Sequence, residues 1–225
     1  MGRKTVAYIA PFGTFMLILG LGQLLESLHI GSGRAMYYTF PAQTLICAGV
    51  LAWFWGDYRL RAPRMTWLGI GVGILVFALW VGPEVALAKT HFAPAPRLEG
   101  FNPVIFAGHP LLYWAELVLR FARLALVVPL LEEIFWRGFL LRYLIREDFD
   151  TVPFGSYTRQ ANAIVAIGFM LEHSLADWPA ALVAGVLYNW VAFRSRSLSN
   201  CVLAHALTNA LLGWYIMATH HWGFW

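Results

Sequence analysis

Residues 124–145 read LALVVPLLEEIFWRGFLLRYLI, a stretch apolar enough to lie in a lipid bilayer. Glu132, Glu133 and Arg137 interrupt this stretch near its middle. Ionisable side chains inside a membrane are costly, and they usually face a bundle interior or a water-filled cavity. The stretch therefore predicts a membrane-spanning helix that carries part of a buried functional site.

The composition agrees with a membrane location. The chain has 225 residues, of which 60% are hydrophobic and 12% charged, and its mean hydropathy is +0.62. Soluble domains contain about 25% charged residues, so a soluble globular protein is excluded. The 11 Trp fit the aromatic enrichment found at membrane interfaces. We expect membrane lipid as a partner and no nucleic acid, because the net charge of +4 is explained by membrane orientation.

Apolar segments about 20 residues long predict the number of membrane spans. A further apolar segment, Leu111–Ala122, carries Glu116 and Arg120 and is followed by Arg123, which together form one narrow polar stripe on a helix. We expect this segment to be an interfacial helix or the outer half of a long tilted helix, with Pro129 as a kink. Seven segments qualify as full spans: 5–25, 37–56, 66–86, 124–145, 160–176, 178–194 and 198–218.

These segments predict an all-α fold, a polytopic membrane helix bundle of about seven transmembrane helices plus one interfacial or half helix. No linker or charge run divides the chain, so we expect a single domain over 1–225 with a motif-bearing core at about 125–215.

Basic residues in the loops predict the orientation of the bundle. With the N-terminus cytoplasmic and the C-terminus outside, ten basic residues fall in inside loops and three in outside loops, or five if the striped segment lies there. This distribution follows the positive-inside rule. The inside set is Arg3, Lys4, Arg59, Arg61, Arg64, Arg142, Arg146, Arg159, Arg194 and Arg196, and the outside set is Arg34, Lys89 and Arg97, joined conditionally by Arg120 and Arg123.

Two further motifs lie in later spans, Phe169 with His173 and His205 with Asn209. Residues four apart share one helix face. Counted from the inner boundary at about 1.5 Å per residue, Glu132, His173, His205 and Asn209 all reach depths of about 13–21 Å. We therefore expect three helices to bring their polar groups together near the bilayer centre.

Helical spacing also separates the two glutamates. Glu133 and Arg137 are about 40° apart around a helix, whereas Glu132 and Arg137 are about 140° apart. We expect a supporting ion pair between Glu133 and Arg137, with Glu132 directed towards the other helices.

These residue types are suited to hydrolysis by an activated water. A buried glutamate such as Glu132 can act as a general base, and His173 can help to hold the water. His205 and Asn209 can donate hydrogen bonds to the oxyanion that develops during acyl transfer. Phe169 is expected to pack and position the helix that carries His173.

The three motifs resemble the CPBP family of CAAX-type intramembrane proteases and bacteriocin-processing proteins. They are Glu-Glu-x-x-x-Arg at 132–137, Phe-x-x-x-His at 169–173 and His-x-x-x-Asn at 205–209, within about 125–215. The resemblance implies that Glu132, aided by His173, activates the catalytic water and that His205 and Asn209 stabilise the oxyanion. From the ligand chemistry of these residues we expect no metal or other cofactor. It also implies a peptide or protein substrate, prenylated or membrane-tethered.

The length and the N-terminal region are further similar to a bacterial branch, CAAX prenyl protease-related, that occurs near exosortase sorting systems. This similarity implies a location in a bacterial inner membrane. Glu172, directly before His173, departs from the family pattern. It is either a third carboxylate in the site or a loop-facing side chain.

Three other interpretations remain open at this stage. A non-enzymatic scaffold or immunity-type protein could share the fold, and a proton-coupled transporter also uses buried carboxylates and histidines. Glu132 with His173 and His205 also resembles a zinc ligand set. Asn209 is a poor zinc ligand, and the chain has no His-Glu-x-x-His motif.

Overall fold

The computed structural model describes residues 2–30, 34–60, 62–63, 65–88, 90–91 and 97–225. Arg61, Arg64 and Lys89, which contribute to the predicted charge bias, lie outside these residues. The described part contains helices and turns but no strand, so the predicted all-α fold class is confirmed.

Seven helical rods correspond one for one to the seven predicted spans. Three of them, α1, α3 and α7, are long and apolar enough to cross a membrane by length and composition alone. The rods are α1 (Arg3–Ser27), α2 (Met36–Trp53), α3 (Thr66–Leu87), α4 (110–143), α5 (Arg159–Leu171), α6 (Trp178–Ser195) and α7 (Leu198–Thr219).

The segment Leu111–Ala122 is the first part of α4, which is the second of the two predicted alternatives. Its polar stripe faces the bundle interior. Arg120 is only 3% exposed, and its guanidinium lies 4.4 Å from the ring centre of Phe40. Arg123 donates a 2.7 Å hydrogen bond from Nε to Gln43 Oε1 on α2.

The helix α4 is α-helical at both ends and in its middle, with π-helical segments at Arg123–Val127 and Ile134–Leu140. Pro129 lies just after the first π-helical segment. Because proline has no N–H and its ring clashes with the carbonyl four residues earlier, it disturbs a regular α-helix. Val128 N donates to Arg123 O, the i+5 pattern of a π-helix. Leu124 O therefore lacks both of its usual donors, since residue 128 is used and residue 129 is proline.

The fifth predicted span was wrong at its C-terminal end. It was expected to reach residue 176, but α5 ends at Leu171. His173 N bonds to Met170 O in a tighter turn, and the Ser174 hydroxyl bonds to Asp177 Oδ2 at 2.5 Å. Local side-chain hydrogen bonds of this kind compete with helix continuation. His173 thus lies in the connection after α5 and not on its face.

The helices α3 and α7 pack closely through small residues. A Cβ added to Gly69 would lie 3.1 Å from Asn200 O, and one added to Gly73 would lie 2.7 Å from Ala204 O. Small residues four apart let membrane helices approach at backbone distance. The Thr208 hydroxyl donates to Gly73 O at 2.9 Å, so α7 is held at a defined height beside the site.

Several predicted inside-loop charges gather at one end of the bundle around Asp150. Lys4 Nζ lies 2.6 Å and Arg59 Nη2 lies 3.0 Å from Asp150 Oδ2, and Arg142 Nη2 lies 3.8 Å from Oδ1. Burial alone would raise the pKa of this loop carboxyl. The hydrogen bond from Lys4 and the three positive charges outweigh burial and hold the pKa below its ordinary value.

The opposite end is closed by the C-terminal residues. Trp222 and Phe224 are buried in a cluster with Val81 of α3, and Gly223 N donates to Arg97 O at 2.9 Å. Arg97 also pairs with Asp177 through its side chain. The N-terminal and C-terminal regions therefore lie at opposite ends of the bundle.

Candidate active site

The predicted ion pair between Glu133 and Arg137 is confirmed. Arg137 Nη1 lies 3.0 Å from Glu133 Oε1, and both side chains are fully buried. Arg137 also donates from Nε to Asn189 Oδ1 at 3.0 Å and from Nη2 to Gly185 O at 3.1 Å. Its guanidinium lies 4.8 Å from the ring centre of Phe169. Arg137 thus connects α4 with α5 and α6, and it supplies the counter-charge of the buried Glu133 carboxylate.

Glu132 has a different environment. Its side chain lines a cavity of about 260 Å³, and Oε2 has no hydrogen-bond donor among the described residues. The neighbouring Glu133 is committed to Arg137, so Glu132 is the carboxylate available to a bound molecule.

All four predicted catalytic side chains line this same cavity. Glu132 comes from α4, His173 from the connection after α5, and His205 and Asn209 from α7. The wall also includes Trp80, Arg123 and Tyr188 among other residues, and the C-terminal Gly223, Phe224 and Trp225.

The ring of His173 is held from two sides. Its Nδ1 lies 2.8 Å from Phe169 O, and its ring centre lies 5.3 Å from that of Trp80. A carbonyl oxygen only accepts hydrogen bonds, so Nδ1 carries a proton and donates. In the neutral imidazole this leaves the lone pair of Nε2 free to accept a hydrogen bond.

His205 lies between the two glutamates. Its Nδ1 is 3.0 Å from Glu133 Oε1, and its Nε2 is 3.9 Å from Glu132 Oε2. The ring stacks on Tyr188, with centres 5.0 Å apart. Because Nδ1–H donates to a carboxylate that Arg137 already holds, the imidazole orientation is set by the buried ion pair.

The side chain of Asn209 bonds to Leu124 O, the backbone carbonyl that has no helical donor because residue 129 is proline. Its Nδ2 donates to Leu124 O at 2.9 Å. An amide group has two N–H donors, so the second remains for another acceptor. The arrangement offers a carboxylate, a histidine acceptor and an amide donor around one cavity, which are the groups that water-dependent acyl hydrolysis requires.

Glu172, which directly precedes His173, bonds to α4 next to the site. Trp136 Nε1 donates to Glu172 Oε1 at 3.1 Å. The negative charge of the nearby Glu132 carboxyl disfavours the ionised form of Glu172, in addition to the effect of burial.

Several site residues were not predicted. Asn189 is 2% exposed, binds Arg137 and donates from Nδ2 to Asn162 O at 3.2 Å. Its polarity inside an apolar span was the available signal, because such residues mark buried contacts in membrane helices. Trp80 lies in an ordinary apolar segment and carried no signal.

Two further observations bear on ligands. Among the described residues, no group of three or more His, Cys, Asp or Glu is arranged to hold a metal ion. A larger cavity of about 370 Å³ lies at the Asp150 end and is lined by Arg59, Arg142 and Arg196. It contains none of the four predicted catalytic residues.

Residues 114–211 match the family model described as Type II CAAX prenyl endopeptidase Rce1-like. The matched region runs from the first part of α4 into α7 and includes all three motifs. No curated protein and no solved structure shows a significant match to the chain.

Proposed function

We propose that this protein is an integral membrane protease of the CAAX type and that it hydrolyses a peptide bond with a water activated by Glu132. The match of residues 114–211 to the Rce1-like family model supports the protease class. The observation that carries this proposal is the common cavity of Glu132, His173, His205 and Asn209. The Glu133–Arg137 pair lies next to that cavity but does not line it.

The first step is proton abstraction by Glu132. Its free carboxylate oxygen accepts a proton from water as the water oxygen attacks the scissile carbonyl carbon. When the tetrahedral intermediate collapses, the C–N bond breaks and Glu132 returns the proton to the departing amine. The base is thus regenerated within one cycle.

His173 orients the attacking water. Since Nδ1–H is bonded to Phe169 O, Nε2 accepts a hydrogen bond from the water and holds its second O–H away from the carbonyl. Phe169 supports this geometry through its carbonyl and through its ring, whose centre lies 4.9 Å from that of His173.

His205 and Asn209 stabilise the oxyanion. Asn209 contributes the amide N–H that does not bond to Leu124 O. His205 directs Nε2 towards the Glu132 side of the cavity, 3.9 Å from Glu132 Oε2, while Nδ1 bonds to Glu133 Oε1. With a proton on Nε2 it donates to the oxyanion. Fixed donors of this kind need no reorganisation during the reaction.

The substrate we propose is a prenylated C-terminal peptide or another membrane-tethered polypeptide, which enters from the bilayer. The orientation we propose has the Asp150 end cytoplasmic and the C-terminus outside, in a bacterial inner membrane. The basic residues Lys4, Arg59 and Arg142 gathered at the Asp150 end support this orientation.

The test uses purified protein in lipid nanodiscs and internally quenched peptides ending in Cys-aliphatic-aliphatic-X, with and without a farnesyl group. Glu132→Gln keeps the shape of the side chain but removes the base, so we expect insertion and folding to persist while cleavage is lost. Glu147→Gln makes the same chemical change at an exposed site and is expected to cleave as wild type does.

Cleavage by Glu132→Gln at the wild-type rate would contradict the assignment of the base. A parallel assay with a metal chelator addresses the zinc alternative, because a metalloprotease would lose activity and regain it with added zinc. If the wild-type protein neither cleaves nor binds either peptide, the scaffold interpretation is favoured.

A further inference from the structure

Glu172 forms a hydrogen bond with Trp136, which lies on the same helix as the proposed general base Glu132. Trp136 lies four residues after Glu132 in α4, and its indole N–H donates to Glu172 Oε1 at 3.1 Å. Residues at this spacing share one helix face. The hydrogen bond therefore draws the Glu172 carboxyl from the end of α5 to the part of α4 where Glu132 lies.

The environment of Glu172 disfavours its charged form. Burial acts in this direction first and the nearby Glu132 carboxyl second, whereas Arg137 and the Trp136 hydrogen bond favour the charged form. Glu132 Oε2 is buried without a donor from any other described residue. The described charged and titratable groups around the pair come from four parts of the chain. They are Glu133, Arg137 and Arg123 on α4, His173 and Asp177 after α5, Tyr188 on α6 and His205 on α7.

Two carboxylates that lie close together in one site repel each other, which favours the protonated form of one of them. Such a pair titrates as a unit and retains one proton between its members. A retained proton also supplies the donor that Glu132 lacks, and a buried oxygen without a donor is costly.

We propose that Glu172 is a positioning residue that stays protonated and donates a hydrogen bond to the Glu132 carboxylate. This inference rests on the proposed function and adds a residue outside the three motifs to it. The bond fixes the rotation of the Glu132 carboxylate so that its free lone pair faces the water. The shared proton is not consumed, since the proton taken from water returns through Glu132 to the amine.

Two substitutions at position 172 separate hydrogen-bond donation from simple packing. Glu172→Gln keeps a donor of nearly the same shape, so we expect a kcat within about threefold of wild type. Glu172→Ala removes the donor, so we expect kcat to fall by about 10- to 100-fold with little change in KM, the size of effect that misplacement of a reacting group produces.

The pH dependence supplies a signature that packing alone does not produce. The wild-type kcat is expected to fall at alkaline pH as the shared proton is lost and both carboxyls become charged. An amide does not titrate in this range, so Glu172→Gln should keep its kcat through the same alkaline pH values. Glu147→Gln, an exposed carboxyl changed in the same way, should retain the wild-type profile.

Equal impairment of Glu172→Gln and Glu172→Ala, wild-type kcat in both, or an alkaline fall unchanged in Glu172→Gln would each overturn the inference. Glu132→Gln distinguishes this failure from failure of the proposed function. If Glu132→Gln is inactive while both Glu172 variants behave as wild type, Glu132 remains the base and only the role of Glu172 is withdrawn. Cleavage by Glu132→Gln at the wild-type rate would contradict both the proposed function and the role of Glu172.

Discussion

At the scale of single residues, Arg137 organises more of the site than any residue that touches the cavity. Its guanidinium bonds to Glu133, Asn189 and Gly185 O, and Glu133 in turn accepts from His205. Glu133 and Asn189 each use one side-chain oxygen to accept a hydrogen bond from Arg137. A change at Arg137 therefore affects stability and the orientation of His205 together.

We expect Arg137→Ala to lower the free energy of unfolding in mixed micelles by about 3–5 kcal/mol, because it leaves Glu133 buried without its counter-charge. Denaturant titration of the purified protein measures this loss. Arg194→Ala, at an exposed position near the end of α6, is the control. The double variant Glu133→Leu/Arg137→Met should recover part of the loss, because no unpaired charge remains. Equal stability of Arg137→Ala and Arg194→Ala would show that the pair does not stabilise the bundle.

At the scale of elements, the shape of α4 and the packing of α7 place the site. Pro129 removes an N–H, so Leu124 O is left for Asn209. The second π-helical segment, Ile134–Leu140, contains both Trp136 and Arg137, which bond to different neighbouring helices. Interruptions of this type are frequent at functional sites of helices.

The close contact of α3 with α7 provides a test at this scale. Gly73→Ala places a Cβ 2.7 Å from Ala204 O, so the helices must separate, and we expect a loss of about 1–3 kcal/mol in unfolding free energy. Gly71→Ala is the matched control, since its Cβ would meet no atom within 4 Å. Alanine there should leave stability unchanged or raise it by up to about 1 kcal/mol. Thermal unfolding in detergent compares the two, and equal values would contradict the described packing.

At the scale of the whole molecule, Asp150 joins three distant parts of the chain. Lys4 at the start of α1, Arg59 after α2 and Arg142 near the end of α4 all contact its carboxylate. This cluster fixes one end of the bundle. The other end is fixed by the ion pair of Arg97 with Asp177 and by the hydrogen bond from Gly223 N to Arg97 O.

The Asp150 cluster predicts a pH dependence of stability. The folded-state pKa lies below the ordinary value, so the carboxylate stabilises the fold above about pH 3.9, the unfolded value, and the contribution is lost as pH falls through the lower folded value. Asp150→Asn should therefore lower Tm at neutral pH, and the difference from wild type should shrink as the pH falls below 3.9. Asp148→Asn, at an exposed neighbour, should show no such difference. A gap in Tm that is independent of pH would contradict the charge interaction.

Much of this architecture follows from local properties of the chain. The length and apolarity of each segment predict a helix whatever surrounds it, and seven of seven predicted spans contain one. The choice of Glu133 as the partner of Arg137 also needed only helical spacing, since the two residues lie on the same helix. The three motifs predicted which segments meet, because residues costly in lipid must find one another.

Local properties of the chain did not predict which individual side chains meet across neighbouring helices. The spacing of Phe169 and His173 suits a helix face, but hydrogen bonds of Ser174 and Asp177 end α5 first. Arg120 and Arg123 form a stripe that suits an interface with water, yet aromatic rings and Gln43 cover it. The position of Glu172 depends on how α5 crosses α4 and on its hydrogen bond with Trp136. In the sequence, Trp136 looks like an ordinary apolar residue of a membrane helix. Periodicity specifies which face of a helix is polar, whereas crossing angle and relative height, set by packing, specify what that face meets.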